Sequence, residues 1–359
     1  IFEYMANRPE EYGQYRYVWI FQHPERFRWL EEQYPNTTVL QWASVPYQRA
    51  MAAAKYWVFN YRVSDHIWPK KDQVYLECWH GTPLKRLGYD LQNEGGNVMN
   101  SLKEVREKYD LDAAKFRYIL SPSEFTTEKF TSAWNLKQAG KENAVLQEGY
   151  PRNDYLLNHT PEDVEQVKRA LHITPEDIGG RKIVLYAPTW RDNQHDSADG
   201  YSYQLGVDFA RLRQALGEEC IILFRAHYLV ANQFDFAAYE GFVWDVSQYP
   251  DINELYVVSD LLITDYSSVF FDYANLKRPI LFYMYDLAAY RDDIRGFYLD
   301  LKELPGPIVE TEEALIQAIP QALEQDAYDE KYQRFHARFN ALDDGHASER
   351  VVKRLLETK

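Results

Sequence analysis

Short runs of β-branched and aromatic residues recur along the chain, three to six residues each, with helical stretches between them. They are Tyr17–Phe21, Thr38–Leu40, Tyr56–Phe59, Val74–Cys78, Tyr118–Ser121, Lys182–Ala187, Cys220–Phe224, Leu261–Thr264 and Ile280–Tyr283. Continuous apolar runs of that length fit strands buried on both faces, and strands alternating with helices pair in parallel through helical crossovers. The pattern therefore predicts an α/β fold of layered parallel sheets, not a sandwich or a bundle. Helix signals fall between the runs. Tyr47 to Ala54 is rich in Ala and Arg. Thr160-Pro161-Glu162-Asp163 reads as an N-cap, a proline at the first helical position and acids in the first turn. Asp251-Ile252-Asn253-Glu254 has capping-box spacing, and Thr311 to Lys359 reads as mostly helical.

A chain of 359 residues exceeds what one core usually organises, so two domains are expected. Turn-forming residues cluster at Gly149-Tyr150-Pro151-Arg152-Asn153-Asp154, which puts the boundary there and gives domains 1–150 and 151–359. Two such domains enclose a cleft, and in open parallel sheets ligands sit beyond the strand C-termini. The residues just after each strand are thus the ones to weigh.

Charge narrows the ligand. Residues 1–150 carry 19 basic and 19 acidic side chains, and residues 151–359 carry 21 and 36, so the whole net charge of −15 lies in the second half. Such a chain is a poor nucleic-acid binder, and an anionic ligand must rely on locally gathered donors. Cys78 and Cys220 lie far apart and read as reduced buried thiols. No apolar run approaches the ~20 residues that span a bilayer, and no signal peptide is seen. The chain opens at Ile1 without an initiator Met, which fits either a missing N-terminal stretch or a naturally short chain.

Four segments follow strands and carry chemistry. In Trp79-His80-Gly81-Thr82-Pro83-Leu84-Lys85, Gly81 lets backbone approach a ligand, and His80 is either a proton acceptor at the cleft or a histidine satisfied by packing. In Ala187-Pro188-Thr189-Trp190-Arg191-Asp192, Arg191 offers bidentate donors for a diphosphate, unless Asp192 simply pairs with it. Arg225-Ala226-His227 sets a second phosphate-binding guanidinium beside a histidine able to stabilise a departing phosphate. Thr264-Asp265-Tyr266-Ser267-Ser268 runs from a strand into an amphipathic helix, the geometry of an anion site. There the serines cap the helix, bond phosphate, or both, and Asp272 one turn on is placed to receive ribose hydroxyls. The acidic stretch Arg191 to Tyr203 matches neither a calcium loop nor a zinc pattern, and reads as a loop over the cleft.

Taken together these blocks resemble the CDP-glycerol glycerophosphotransferase family, which primes and polymerises wall teichoic acids and related capsule polymers. The resemblance rests on Trp79 to Lys85 with Gly88 and Asp90, on Gly149 to Asp154, on Tyr186 to Arg191, on Arg225-Ala226-His227, and on Thr264 to Ser268 with Asp272. It implies a glycosyltransferase-B architecture: two Rossmann-like domains facing across a cleft, with no catalytic metal and no cofactor. It implies His80 as the catalytic histidine and His227 as the donor-phosphate histidine. Arg191, Ser267, Ser268 and Asp272 fall where family members hold the donor nucleotide, and Gly81, Thr82, Lys85, Pro188, Thr189, Arg225, Thr264 and Asp265 complete the expected substrate-binding set. The implied partners are CDP-glycerol or CDP-ribitol and a lipid-linked polymer acceptor, at the cytoplasmic face of a bacterial membrane. The neutral first domain is the side expected to meet that membrane. A nucleotide-sugar glycosyltransferase and a non-catalytic binding module of the same fold are the alternatives.

Overall fold

The computed structural model describes residues 1–92, 101–189, 195–196, 200–201, 206–226, 236–287 and 296–358. Among these, the first half contributes six strands: β1 (Tyr17–Phe21), β2 (Thr37–Gln41), β3 (Tyr56–Phe59), β4 (Val74–Glu77), β5 (Tyr118–Ser121) and β6 (Val145–Gln147). They divide into a parallel β1-β2 pair and a four-stranded parallel sheet in sequence order, β3-β4-β5-β6. β4 is buried along its whole length, as a strand with helices on both faces must be. Its neighbours end on helices whose starts are written locally, such as Ser101 in a reciprocal capping box with Glu104.

The second half contributes β7 (Lys182–Tyr186), a short antiparallel pair β8 (His195–Asp196) and β9 (Gly200–Tyr201), then β10 (Cys220–Phe224), β11 (Val243–Asp245), β12 (Leu261–Thr264), β13 (Ile280–Tyr283) and β14 (Ile308–Val309). Leaving out the β8-β9 excursion, one six-stranded parallel sheet runs β11-β10-β7-β12-β13-β14. From β7 the chain winds outward to β11, returns to the other side of β7 at β12, and winds outward again. That reversal is the doubly wound order, and it opens a crevice between the C-termini of β7 and β12. The loops that begin there are Ala187–Thr189 and Asp265–Ser268.

The tail forms helices Glu312–Glu324, Glu330–Phe339 and Ala347–Glu357. The middle one lays Phe335 and Phe339 on Phe271, and Phe339 also meets Phe125 of the first half edge-on at 4.8 Å between ring centres. Leu84 and Phe125 join the main core of the second half, so the halves share apolar packing. The last helix departs from the expected boundary. It sits at the end of the stretch assigned to the second domain, yet Val351 and Leu355 pack with Val74, Leu76, Leu120 and Leu146 of the first sheet. Its apolar stripe is periodic, with Lys353 and Arg354 turned to solvent, and the stripe is buried where the first sheet lacks a cover.

Candidate functional site

β4 ends at Glu77, whose side chain shapes the turn beyond the strand. The buried carboxylate accepts the Trp79 backbone N–H at 2.8 Å and the Tyr75 hydroxyl at 2.7 Å. Trp79 then takes a left-handed backbone, φ 53°, a conformation that costs a non-glycine residue about 1–3 kcal/mol unless its surroundings hold it. The Trp79 ring is buried edge-on against Trp134, 4.8 Å between centres, and stacks on the His80 ring at 4.2 Å. His80 is thereby turned outward and opens to solvent. Gly81 is required by close approach: a β-carbon there would lie 2.8 Å from the Ser268 hydroxyl oxygen and 3.4 Å from its β-carbon. The turn after β4 in one half therefore touches the turn after β12 in the other. His80, Arg152, Ser268, Val269 and Asp272 line one groove of about 1530 Å³.

The remaining second-half positions mostly build the walls. Thr264, fully buried, donates its hydroxyl to the Ala187 carbonyl at 2.8 Å. One Asp265 oxygen accepts from the Thr189 N–H at 2.9 Å, the Thr189 hydroxyl at 2.8 Å and the Tyr266 N–H at 2.6 Å. These bonds lock the two loops of the topological switch point together, and Pro188 lies half-buried between them. Arg225 donates to the Val246 and Tyr249 carbonyls at 3.1 and 2.8 Å, and burial lowers its pKa. It anchors the loop after β11. Thr82 is buried under the first turn, and Lys85 forms a backbone bridge to Phe297 across the two halves. Arg191 and His227 lie outside the described residues.

Two expectations about the serine turn are modified. The helix beyond it is only Val269–Tyr273, continued by a 3-10 turn, so its dipole is smaller than a long amphipathic helix would supply. Ser267 accepts the Val269 N–H at 3.4 Å, the outer limit of such a bond, while the Ser268 hydroxyl makes no capping bond. Ser268 faces Gly81 instead. Asp272 is also engaged: Arg152 reaches its two oxygens through Nε and Nη2 at 3.0 and 2.9 Å, and Asn153 donates to it at 3.0 Å. Those oxygens accept from protein donors, so the ribose hydroxyls expected there would share them.

Arg152 is the site residue that sequence alone does not single out, because 149–154 reads as a linker. It lies five residues beyond the end of β6, in the turn that follows the strand; β6 offers only Val145 and Leu146 before Gln147 and does not register as an apolar run. Its guanidinium lies 3.9 Å over the Tyr150 ring, and Asn253 holds its carbonyl at 2.6 Å. His80 has its pKa lowered, first by desolvation from the protein groups packed around it in the groove and then by the positive charge of Arg152, although its ring keeps an open face to solvent. A neutral imidazole is the form that accepts a proton. Behind Arg152, Asp343 accepts from the Tyr150 N–H at 2.8 Å, from Asn153 at 2.7 Å and from Asn275 at 3.1 Å. Burial pushes its carboxyl up to about 6. Two carboxylates thus clasp the segment joining the halves.

The model of the CDP-glycerol:poly(glycerophosphate) glycerophosphotransferase family matches residues 1–357. This chain belongs to that family. It is 42% identical over 362 residues to a teichoic acid poly(glycerol phosphate) polymerase of Bacillus subtilis, covering all of this chain and 46% of that one. It is 41% identical over 316 residues to a teichoic acid glycerol-phosphate transferase of Staphylococcus aureus, covering 86% of this chain and 77% of the relative. The solved wall teichoic acid polymerase TagF superposes with a TM-score of 0.85 at 34% identity, over 98% of this chain and 83% of that one. The two-domain α/β architecture expected of the glycerophosphotransferase family is the one observed. Among the described residues, no cluster of three or more His, Cys, Asp or Glu is placed to hold a metal ion, and no helix is long and apolar enough to cross a membrane.

Proposed function

We propose that this glycerophosphotransferase-family chain moves glycerol phosphate from CDP-glycerol to the terminal hydroxyl of a teichoic-acid-like acceptor and releases CMP. The acceptor oxygen attacks the phosphorus bearing glycerol. That oxygen–phosphorus bond forms as the bridging bond to CMP breaks, and CMP leaves with the negative charge. His80 takes the acceptor proton. The Ser267–Val269 turn meets the diphosphate, with Arg191 and His227 assigned there by resemblance. Positioning and charge stabilisation are what phosphoryl transfer asks of a protein. The reading requires no metal.

The observation that carries this reading is the meeting of His80 with Ser268 and Arg152 in one groove between two halves. The depressed pKa of His80 supports its service as a base near neutral pH. Glycerol is preferred to ribitol because the family description and both relatives above name it. We place the lipid-linked acceptor and the cytoplasmic membrane surface on the side of the first domain. Trp29, Trp42, Tyr61 and Trp68 there are 50%, 50%, 68% and 50% exposed, the residue types that settle at headgroup depth.

The test is CMP release with CDP-glycerol, CDP-ribitol and UDP-sugars, using the whole chain and a His80→Ala variant. Turnover of CDP-glycerol, nearly abolished in the variant while donor binding persists, is the expected result. Near-normal turnover by His80→Ala would remove the base assignment. Use of a UDP-sugar alone would make the chain a sugar transferase, and absence of any nucleotide binding would make it a binding module.

A further inference from the structure

We propose that Glu77 is a positioning residue for His80: by accepting the Trp79 backbone N–H it holds Trp79 left-handed, and the Trp79 ring then fixes the imidazole that stacks on it. The proposal rests on the reading of His80 as the base. Three connected contacts carry it. Tyr75 and Glu77 are alternate residues of β4 and share a face, so the Tyr75 hydroxyl reaches one carboxylate oxygen at 2.7 Å and aims the other at the Trp79 N–H, 2.8 Å away. The bond from residue 77 to residue 79 closes a tight turn at the strand end and draws Trp79 to φ 53°. The ring is then pinned at right angles to Trp134, 88° between planes, and presents its face to His80 at 28°.

A carboxyl group is an expensive choice for this place. Glu77 is 3% exposed, at the end of a strand buried throughout, and burial pushes it up to about 7. The titratable groups facing it are the neutral Tyr75 phenol on its own strand, Asp112 on the helix Leu102–Lys115, and Arg62, whose Nε is bound to Asp112 at 2.5 Å. None of the cations among these makes an ion pair with Glu77 among the described residues. An apolar side chain of similar size would fill the space. What it lacks is an acceptor for the Trp79 N–H, so the acceptor accounts for the residue.

The charge itself is not required by this geometry. A protonated carboxyl still offers its carbonyl oxygen to Trp79, and so does an amide. Glu77→Gln is therefore expected to behave as wild type, whereas Glu77→Ala and the volume-conserving Glu77→Leu release the turn.

The experiment compares wild type, the three Glu77 variants and His80→Ala, with folding verified by thermal melts. Turnover of CDP-glycerol is read as kcat and KM, and the His80 imidazole is read by NMR of 13C-histidine-labelled full chain, assigned by its loss in His80→Ala. In Glu77→Leu or Glu77→Ala, kcat falls about 10²-fold with KM within about twofold, since a displacement near 1 Å suffices for that loss. The His80 resonance loses the ring-current shift that stacking on Trp79 imposes. In Glu77→Gln both readings stay near wild type, and the pH profile keeps its shape. An unshifted His80 resonance in Glu77→Leu, or Glu77→Gln as impaired as Glu77→Leu, overturns the proposal. Normal turnover by His80→Ala overturns the base assignment instead, and the NMR reading still decides whether Glu77 sets the ring.

Discussion

Asp272→Asn tests the ion pair beneath the groove and its effect on His80 in one step. Arg152 meets Asp272 through two nitrogens, and Asn153 adds a third donor to the same carboxylate. An asparagine keeps one acceptor oxygen and turns an NH2 group toward donors. Removing one partner of a buried pair costs about 3–5 kcal/mol. The Arg152 side chain is 28% exposed and that of Asp272 12%, so water recovers part of this, and about 2–3 kcal/mol is expected. Spread over the unfolding entropy of 359 residues, that corresponds to a fall in Tm of roughly 3–4 °C. The kinetic effect has the opposite flavour. Desolvation and Arg152 already hold the His80 pKa below its usual value, and an Arg152 without its counter-charge lowers it further. The base is the neutral imidazole, so activity is lost as pH falls through that pKa. The acid limb of kcat/KM should therefore move to lower pH in Asp272→Asn, with the plateau reduced. Thermal and urea unfolding with a pH–rate profile of the same preparation give both numbers. An unchanged Tm, or an acid limb displaced to higher pH, refutes the reasoning. The double variant Arg152→Met with Asp272→Leu should regain most of the lost stability, because no unpaired charge remains.

Three further outcomes are expected. Gly81→Ala should lower kcat about 10²-fold and also lower Tm, since its β-carbon meets Ser268 across the halves and its φ of 155° strains any side chain; adding Ser268→Ala should restore part of the kcat loss but not the Tm, and no restoration of kcat would deny a steric cause. Asp343, raised to about 6, keeps its proton in the folded chain while the unfolded chain ionises near its ordinary value, so its contribution to stability falls as pH rises from about 4 to 6. The stability gap between wild type and Asp343→Asn, by urea unfolding, should shrink over that window by about 3 kcal/mol at most, and a gap that widens would contradict the assignment. Leu355→Ala should cost about 2–5 kcal/mol and raise hydrogen exchange in β4 to β6 more than in β7 to β13, because the last helix covers the first sheet.

The nine strands expected from apolar runs are all present within a residue or two: β4, β5, β7, β10, β12 and β13 are buried along nearly their whole length, whereas β1, β2 and β3 are only partly buried, with Val18, Trp19 and Val58 exposed, and read as strands through their β-branched and aromatic residues instead. The strands that escape such a reading, β6, β8, β9, β11 and β14, are two or three residues long, and β14 is half-buried at an edge of its sheet. That omission carries through to the site. Without β6, the segment at Arg152 reads as a linker, although it belongs to the turn that follows a strand, as His80 does after β4. Local capping is legible in part: Thr160 caps its helix with Pro161 first and acids in the first turn, as expected, and the capping-box spacing at Asp251 to Glu254 yields only a one-way cap, the Asp251 carboxylate accepting the Asn253 N–H.

Partnership across the chain is not legible, and the carboxylates show why. Asp272, Asp265 and Glu77 each stand beside a motif, where sequence alone offers a ligand contact as readily as a structural one. Which they make depends on donors 120 residues away for Arg152 with Asp272, 76 for Thr189 with Asp265, and two for Trp79 with Glu77. A residue type at a strand end says that chemistry is available there. Whether it meets substrate or holds up the residue that does is decided by whichever donors the fold delivers first. Here those donors are protein groups for all three carboxylates, and His80, Arg152 and Ser268 are among the side chains that line the open groove.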